Sequence, residues 1–348
     1  MKNNILIVGS RSGGHILPGL AIGKELYSQG HAVFFVAENR PLDRALIEHE
    51  TWLTQRFFIQ LQPPAVRRVW RYPQYLWVLA QQIISMLRLL KLHHIDRVVG
   101  MGGYSSVPVC CAAWLLRVPY ELYELNVELG RAIQLLQHGA QKVVCCFPEA
   151  LHAVRPAAQK LVPYPLRVAP GTIQCSALTA HGESSCTRFT LFVIGGSQGS
   201  QSLGRLVLDW VATLSPQQRT HVHIIHQTGT DEEHIRTQYA TLNLSAEVFN
   251  YRNSVVSCYL SAHLIISRAG SGALHEIMAL QKRAVIVPLE SHSTHHQVAN
   301  AQAVERRNPQ QWVMIRQHEV ARFHSYLSAQ LARVQAKCDV VQQEALPL

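Results

Sequence analysis

His263-Leu264-Ile265-Ile266-Ser267-Arg268-Ala269-Gly270-Ser271-Gly272-Ala273-Leu274-His275-Glu276 is the stretch that decides the fold. Its first five residues form a short apolar run of the kind that becomes a parallel strand buried on both faces. Small residues then lead into Ala273, Leu274, Ile277 and Met278, an apolar set at helical spacing. Strand, Gly-rich turn and helix start, in that order, present backbone N–H groups and the positive end of a helix dipole, which suits a phosphate. Glu276 falls in the first helical turns, where a carboxylate can accept from a ribose diol as it does in dinucleotide folds. A tight strand-to-helix connection with a solvated Glu fits the same residues, and one such turn does not separate the two readings.

The pattern recurs. Ile5 to Val8 is an apolar run that opens into Gly9-Ser10-Arg11-Ser12-Gly13-Gly14-His15 and a helix carrying Leu20, Ala21 and Leu26. Arg97-Val98-Val99 opens into Gly100-Met101-Gly102-Gly103-Tyr104, and Phe189 to Ile194 into Gly195-Gly196-Ser197-Gln198-Gly199-Ser200. Further strands are expected at 32–37, 119–124, 142–147, 222–226, 247–250, 284–287 and 312–315. A Pro-dense stretch, Pro163 to Pro170, followed by small polar residues to Arg188, reads as an interdomain linker. Alternating apolar strands and helices on either side of it predict two Rossmann-like domains facing across a cleft, with polar groups at strand ends lining the ligand crevice. The spacing at 9–15 is not G-x-G-x-x-G, which disfavours a nicotinamide enzyme. His15 reads equally as a general base and as a helix-start histidine without a role.

Composition sets the partners. The 348-residue chain has a formal net charge of +10, which favours acidic partners. None of the eight cysteines stands in a metal or C-x-x-C spacing, so buried thiols in a reducing compartment are expected. His292, His295 and His296 stand in no Cys/His metal spacing, and a polar loop is preferred to a metal site. No signal peptide or membrane span is visible. From Thr51 to Ile95 there is no Asp or Glu, whereas Arg56, Arg67, Arg68, Arg71, Arg88 and Lys91 alternate with Trp70, Tyr72, Tyr75, Leu76, Trp77, Ile83, Ile84 and other apolar residues. Cations mixed with aromatic and aliphatic bulk describe a segment at an anionic membrane interface; a core helix with a basic outer face is the rival. Nucleic acid would not need the aliphatic bulk, and none is expected as a partner.

Taken together, Gly13-Gly14-His15 with Pro18-Gly19, Gly100-Met101-Gly102-Gly103-Tyr104, Gly195-Gly196-Ser197-Gln198-Gly199, Ser267-Arg268-Ala269-Gly270 with Glu276, and Gln297 with Asn300-Ala301 resemble the MurG family. That family transfers N-acetylglucosamine from UDP-GlcNAc to undecaprenyl-pyrophosphoryl-muramoyl-pentapeptide in cell-wall synthesis. The resemblance runs from the first turn to about residue 315. It implies a GT-B fold without metal or cofactor. Residues 1–165 would form the acceptor and membrane-facing domain and 166–324 the UDP-GlcNAc domain, with a closing helix at 325–348 packing back on the first. It further implies an inverting transferase, peripheral on the cytoplasmic face of the inner membrane and bound there through residues 67–91.

Residue by residue, the resemblance places Ser12, Gly13 and Gly14 near the donor sugar, with His15 as candidate base and Tyr104 in the substrate site. Asn126 would contact the donor sugar, and Arg167 and Ser197 the region of the diphosphate. Arg252 falls where main-chain groups read the uracil. Arg268 and the run Ser271, Gly272, Ala273, Leu274, His275 would cradle the nucleotide, Glu276 would take the ribose hydroxyls, and Gln297 the GlcNAc hydroxyls. The sequence departs from the family pattern at Ser10-Arg11-Ser12 (usually Gly-Gly-Thr), at Leu125 within Glu124-Leu125-Asn126, at Leu129-Gly130, at Tyr164-Pro165 and at His296. A transferase acting on another lipid and a noncatalytic nucleotide-sugar binder are the alternatives.

Overall fold

The computed structural model describes residues 2–9, 13–61, 72–166, 188–196, 199–229, 231–252, 254–290 and 296–344. The chain divides into two compact units, Met1–Arg167 and Val168–Leu348.

The first unit contains β1 (Asn4–Val8), α1 (Gly13–Ser28), β2 (Ala32–Glu38), α2 (Pro41–Ile47), β3 (Gln55–Ile59), α3 (Tyr72–Leu92) and β4 (Arg97–Gly100). After these come α4 (Ser106–Leu115), β5 (Tyr120–Glu124), α5 (Arg131–Leu136), β6 (Lys142–Cys145) and β7 (Gln159–Leu161). All neighbouring strands are parallel, in the order β3-β2-β1-β4-β5-β6-β7. Ile5 to Val8 and Val33 to Ala37 are buried throughout, as strands covered on both faces must be. One face packs Leu6, Val8 and Val98 with Met86 and Leu90 of α3 and Val109 and Ala113 of α4. The other packs Ile5, Ile7 and Phe35 with Ile16 and Leu20 of α1 and Ile47 of α2.

The second unit contains β8 (Phe189–Ile194), α6 (Gln201–Thr213), α7 (Pro216–Thr220), β9 (Val222–Gln227), α8 (Glu232–Thr241), β10 (Ser245–Phe249) and α9 (Val256–Ser261). It continues through β11 (Leu264–Ser267), α10 (Ser271–Ala279), β12 (Ala284–Ile286), α11 (His296–Arg307), β13 (Trp312–Met314) and α12 (Val320–Glu344). Its sheet is also parallel, in the order β10-β9-β8-β11-β12-β13. Leu203, Leu206, Val207 and Trp210 of α6 are buried at the expected helical spacing. Phe323, Leu327 and Leu331 of α12 belong to the same core as Trp210, and the Trp210 indole donates to Ser328 Oγ at 3.1 Å. Residue 325 therefore marks no change of core: the first turns of the closing helix are part of the second unit.

Two strands had no counterpart in the sequence reading. β3 has a polar start and β7 is exposed at every residue, so neither shows the apolar run of a central strand. The Arg56 guanidinium on β3 is spent on the Ile47 carbonyl, at 2.8 Å, and on the Glu50 carbonyl. This accounts for the Arg56 charge inside the protein. No helix among the described residues is long and apolar enough to cross a membrane.

Candidate active site

Each sheet reverses its winding order once, and each reversal falls between strands that end in Gly-rich turns. In the first sheet β1 lies beside β4, with Val8 opposite Gly100. In the second β8 lies beside β11, with Ile194 opposite Ser267. An open parallel sheet takes its ligand outside the carboxyl ends of its strands at such a point. The four Gly-rich turns read from the sequence are thus two pairs, one pair at each reversal.

At the first reversal, Gly9 lets the chain leave β1 tightly; a Cβ there would stand 2.8 Å from the His15 carbonyl oxygen. His15 on the first turn of α1 reaches across to β4, where its Nδ1 lies 2.6 Å from the Met101 carbonyl oxygen. A carbonyl only accepts, so Nδ1 carries the proton and Nε2 is the basic nitrogen of the neutral ring. Gly102, at φ +84°, lies against the imidazole: a Cβ would be 3.5 Å from His15 Cε1. Tyr104 is half-buried in the same turn.

The adjacent loop is organised by Glu124, buried at the end of β5. Its Oε1 accepts from the Asn126 backbone N–H at 2.9 Å and from Asn126 Nδ2 at 3.1 Å, and its Oε2 from the Gly130 N–H at 2.7 Å. Burial pushes the Glu124 carboxyl up, and these hydrogen bonds hold it down. Asn126 is therefore fixed by a carboxylate that the sequence reading had not singled out as a positioning group.

At the second reversal, Gly199 (φ +70°) meets the Thr228 carbonyl so closely that a Cβ would overlap it at 1.6 Å. Ser200 caps α6, its Oγ accepting from the Leu203 N–H. α10 begins at Gly270 without a side-chain cap, and its first ladder bond is Leu274 N to the Gly270 carbonyl. The N–H groups of Ser271, Gly272 and Ala273 thus precede the helical ladder and point outward from the helix start. Leu274 is fully buried, and His275 turns inward with Nδ1 at 2.8 Å from the Ser271 carbonyl. From the 271–276 run, the main chain at 271–273 and the Glu276 side chain remain the polar groups suited to a nucleotide.

Glu276 accepts from the Tyr259 hydroxyl at 2.9 Å, and the Tyr259 ring packs edge-on against Phe192. Tyr259 was not foreseen; it lies 17 residues away on another helix and no local pattern joins them. Gln297 Oε1 accepts from the Leu289 N–H at 3.0 Å, which leaves its NH2 end to donate. Asn300 is buried and donates to the Ala269 carbonyl at 3.2 Å, tying α11 to the turn before α10. Arg252 lies over the Phe249 ring and pairs with Glu247. Its side chain is thus held on β10. The Arg268 guanidinium, expected to bind substrate, turns into the protein and is taken up by protein acceptors. Ser12, Arg167 and Ser197, with Arg11, His292 and His295, lie outside the described residues. Among those described, no group of His, Cys, Asp and Glu has the makings of a metal site.

Two doubly wound domains with paired Gly-rich turns at their reversals have the GT-B architecture, and the family models make the chain a glycosyltransferase. Residues 5–145 match the glycosyltransferase family 28 N-terminal domain and residues 190–345 its C-terminal domain. The chain belongs to the family of UDP-N-acetylglucosamine–N-acetylmuramyl-(pentapeptide) pyrophosphoryl-undecaprenol N-acetylglucosamine transferases. It is 30% identical to the enzyme of that name from Acidithiobacillus ferrooxidans over 88% of this chain and 82% of the relative. It is 29% identical to the one from Myxococcus xanthus over 86% and 77%. Among solved structures it is similar to MurG of Acinetobacter baumannii, with a TM-score of 0.70 at 22% identity over 99% of this chain and all of that one.

Proposed function

We propose that the protein transfers N-acetylglucosamine from UDP-GlcNAc to an undecaprenyl-pyrophosphoryl-linked muramoyl-pentapeptide, with inversion at the anomeric carbon. The second domain holds the donor. Main-chain N–H groups at 195–200 and 271–273 receive the diphosphate, Glu276 the ribose hydroxyls, and the Gln297 amide the sugar hydroxyls. In the first domain, Nε2 of neutral His15 takes the proton of the acceptor hydroxyl as its oxygen bonds to the anomeric carbon. The bond from that carbon to the diphosphate oxygen breaks, and UDP leaves with the electron pair. Developing charge on UDP is met by helix N-termini and needs no metal in this scheme. Ser12, Gly13, Gly14, Tyr104, Asn126, Arg167 and Ser197 are assigned to the substrates by position in the family pattern.

The lipid part of the acceptor calls for a membrane-facing surface, which we place on α3. Its inner residues Met86, Leu89 and Leu90 are core, so the core-helix reading holds for that face. Its outer face exposes Leu76, Trp77 (67% exposed) and Ile84, followed by exposed Arg88 and Lys91. Bulky apolar groups next to cations on one helix suit the interface of an anionic bilayer. The protein would thus work as a peripheral enzyme on the cytoplasmic face of the inner membrane.

The observation that carries the reading is the orientation of His15 by Met101 at the first reversal, in a chain whose second reversal is built for an anion. The test is release of UDP from UDP-GlcNAc on addition of the lipid-linked acceptor, with a β-linked disaccharide as product. Release without acceptor dependence, or equal turnover with a diacylglycerol acceptor, would rule it out.

A further inference from the structure

Arg268 directly follows β11 at the second reversal and is 4% exposed. Its Nε donates to Ser200 Oγ at 2.9 Å, its Nη1 to the Val287 carbonyl at 3.1 Å, and its Nη2 to Gln317 Oε1 at 2.9 Å and to Ser202 Oγ. One side chain thereby joins the cap and first turn of α6, the end of β12 and the segment before α12. Every one of these acceptors is neutral. Burial lowers the pKa of the guanidinium to about 10, so it stays cationic at neutral pH.

A buried charge with only neutral partners costs stability, and an apolar side chain of similar length would pack here without that cost. Bracing alone does not explain the positive charge. Its position sharpens the point: Arg268 lies at the N-terminal ends of α6 and α10, where the helix dipoles are themselves positive. Three positive elements converge beside Ser200 and Gly270. An anion outside the turns that hold these residues relieves all three together.

We infer that Arg268 is a positioning residue that acts on a nucleoside diphosphate from behind: it braces the two turns and lends them its charge without touching the ligand. The inference rests on the proposed donor site and deepens it, because it assigns the diphosphate preference of that site to a residue outside the contact layer. The charge works through a few ångströms of protein, where a unit charge remains effective.

Calorimetric titration of the full chain with uridine, UMP and UDP tests it. In the wild type, affinity climbs with each phosphate. Arg268→Gln is expected to lower UDP affinity by roughly tenfold or more while uridine affinity stays unchanged. Arg268→Lys, which keeps the charge but cannot span all the acceptors, retains most of the phosphate gain, as does Ser202→Ala, which removes one brace and leaves the charge. If Arg268→Gln does not fold, these two variants still decide. Loss of the phosphate gain in either, or a parallel fall in uridine and UDP affinity in Arg268→Gln, assigns a bracing role alone and overturns the inference. A wild type that binds UDP no better than uridine overturns the donor site beneath it.

Discussion

His15 Nδ1 donates to the Met101 carbonyl across the reversal between β1 and β4, at 2.6 Å. That bond selects the tautomer that leaves the basic nitrogen at Nε2. Replacement of His15 by Gln keeps a donor in reach of Met101 and removes the base. We expect kcat to fall by roughly 10²- to 10⁴-fold with little change in the KM for UDP-GlcNAc. Steady-state kinetics at saturating acceptor would show it, and an unchanged kcat would take His15 out of the chemistry.

The hydroxyl of Tyr259 holds one oxygen of Glu276. With Tyr259→Phe the carboxylate loses a fixed orientation, at about 1 kcal/mol or several-fold in donor KM. Discrimination between UDP-GlcNAc and its 2′-deoxyuridine analogue should shrink with it. Equal discrimination in variant and wild type would separate Glu276 from the ribose.

Gly199 has no room for a Cβ and a φ that L-residues avoid. Gly199→Ala should cost about 2 kcal/mol or more through backbone strain alone, and should weaken donor binding beyond that. Thermal melts with and without UDP separate the two effects: the variant melts earlier, and UDP restores less than it adds to the wild type.

Acid is expected to destabilise the second domain. His226 is buried against Tyr239, and burial lowers its pKa from 6.5 to about 4; His223 and His263 are lowered as well. Between pH 6.5 and 4 the unfolded chain therefore binds more protons than the native one, and stability rises with pH in that window. The His226 contribution is complete above pH 6.5 and is lost as pH falls toward 4, on the order of 3 kcal/mol. Urea melts at pH 7 and pH 4.5 should show the loss, and His226→Phe should flatten it. A variant with an undiminished pH dependence would place the acid sensitivity elsewhere.

The outer face of α3 is expected to bind lipid. Leu76→Ser with Trp77→Ser should lower co-sedimentation with phosphatidylglycerol vesicles by an order of magnitude, with turnover of a water-soluble acceptor analogue unchanged. Unaltered sedimentation would leave α3 as a core helix with a basic outer side.

The fold was legible because its central strands are buried on both faces and stop abruptly: Ile5–Val8 and Phe189–Ile194 run straight into a glycine, and Leu264–Ser267 reaches Gly270 three residues on. β3 and β7 escaped because β3 opens on the polar Gln55-Arg56 and β7 is exposed at every residue, whereas the edge strands β10 and β13 still carry apolar residues. The main-chain part of the site was legible for the same reason, since a Gly-rich turn is a local signal. The side chains that orient it were not. Glu124, Tyr259 and the inward turn of Arg268 depend on partners brought together by sheet topology, and nothing in the neighbouring sequence marks them. Trp70, Arg67, Arg68 and Arg71 fall outside the described residues; Leu76, Trp77, Ile84, Arg88 and Lys91 form the exposed face of α3.

Main-chain amides at the second reversal are expected to receive the diphosphate of UDP-GlcNAc. Hydrogen exchange of the full chain with and without UDP-GlcNAc probes those amides directly. Slowed exchange is expected at Gly195 to Ser200 and at Ser271 to Ala273, with β9 and β10 unaffected. Unchanged exchange at both turns in the presence of bound ligand would place the diphosphate elsewhere.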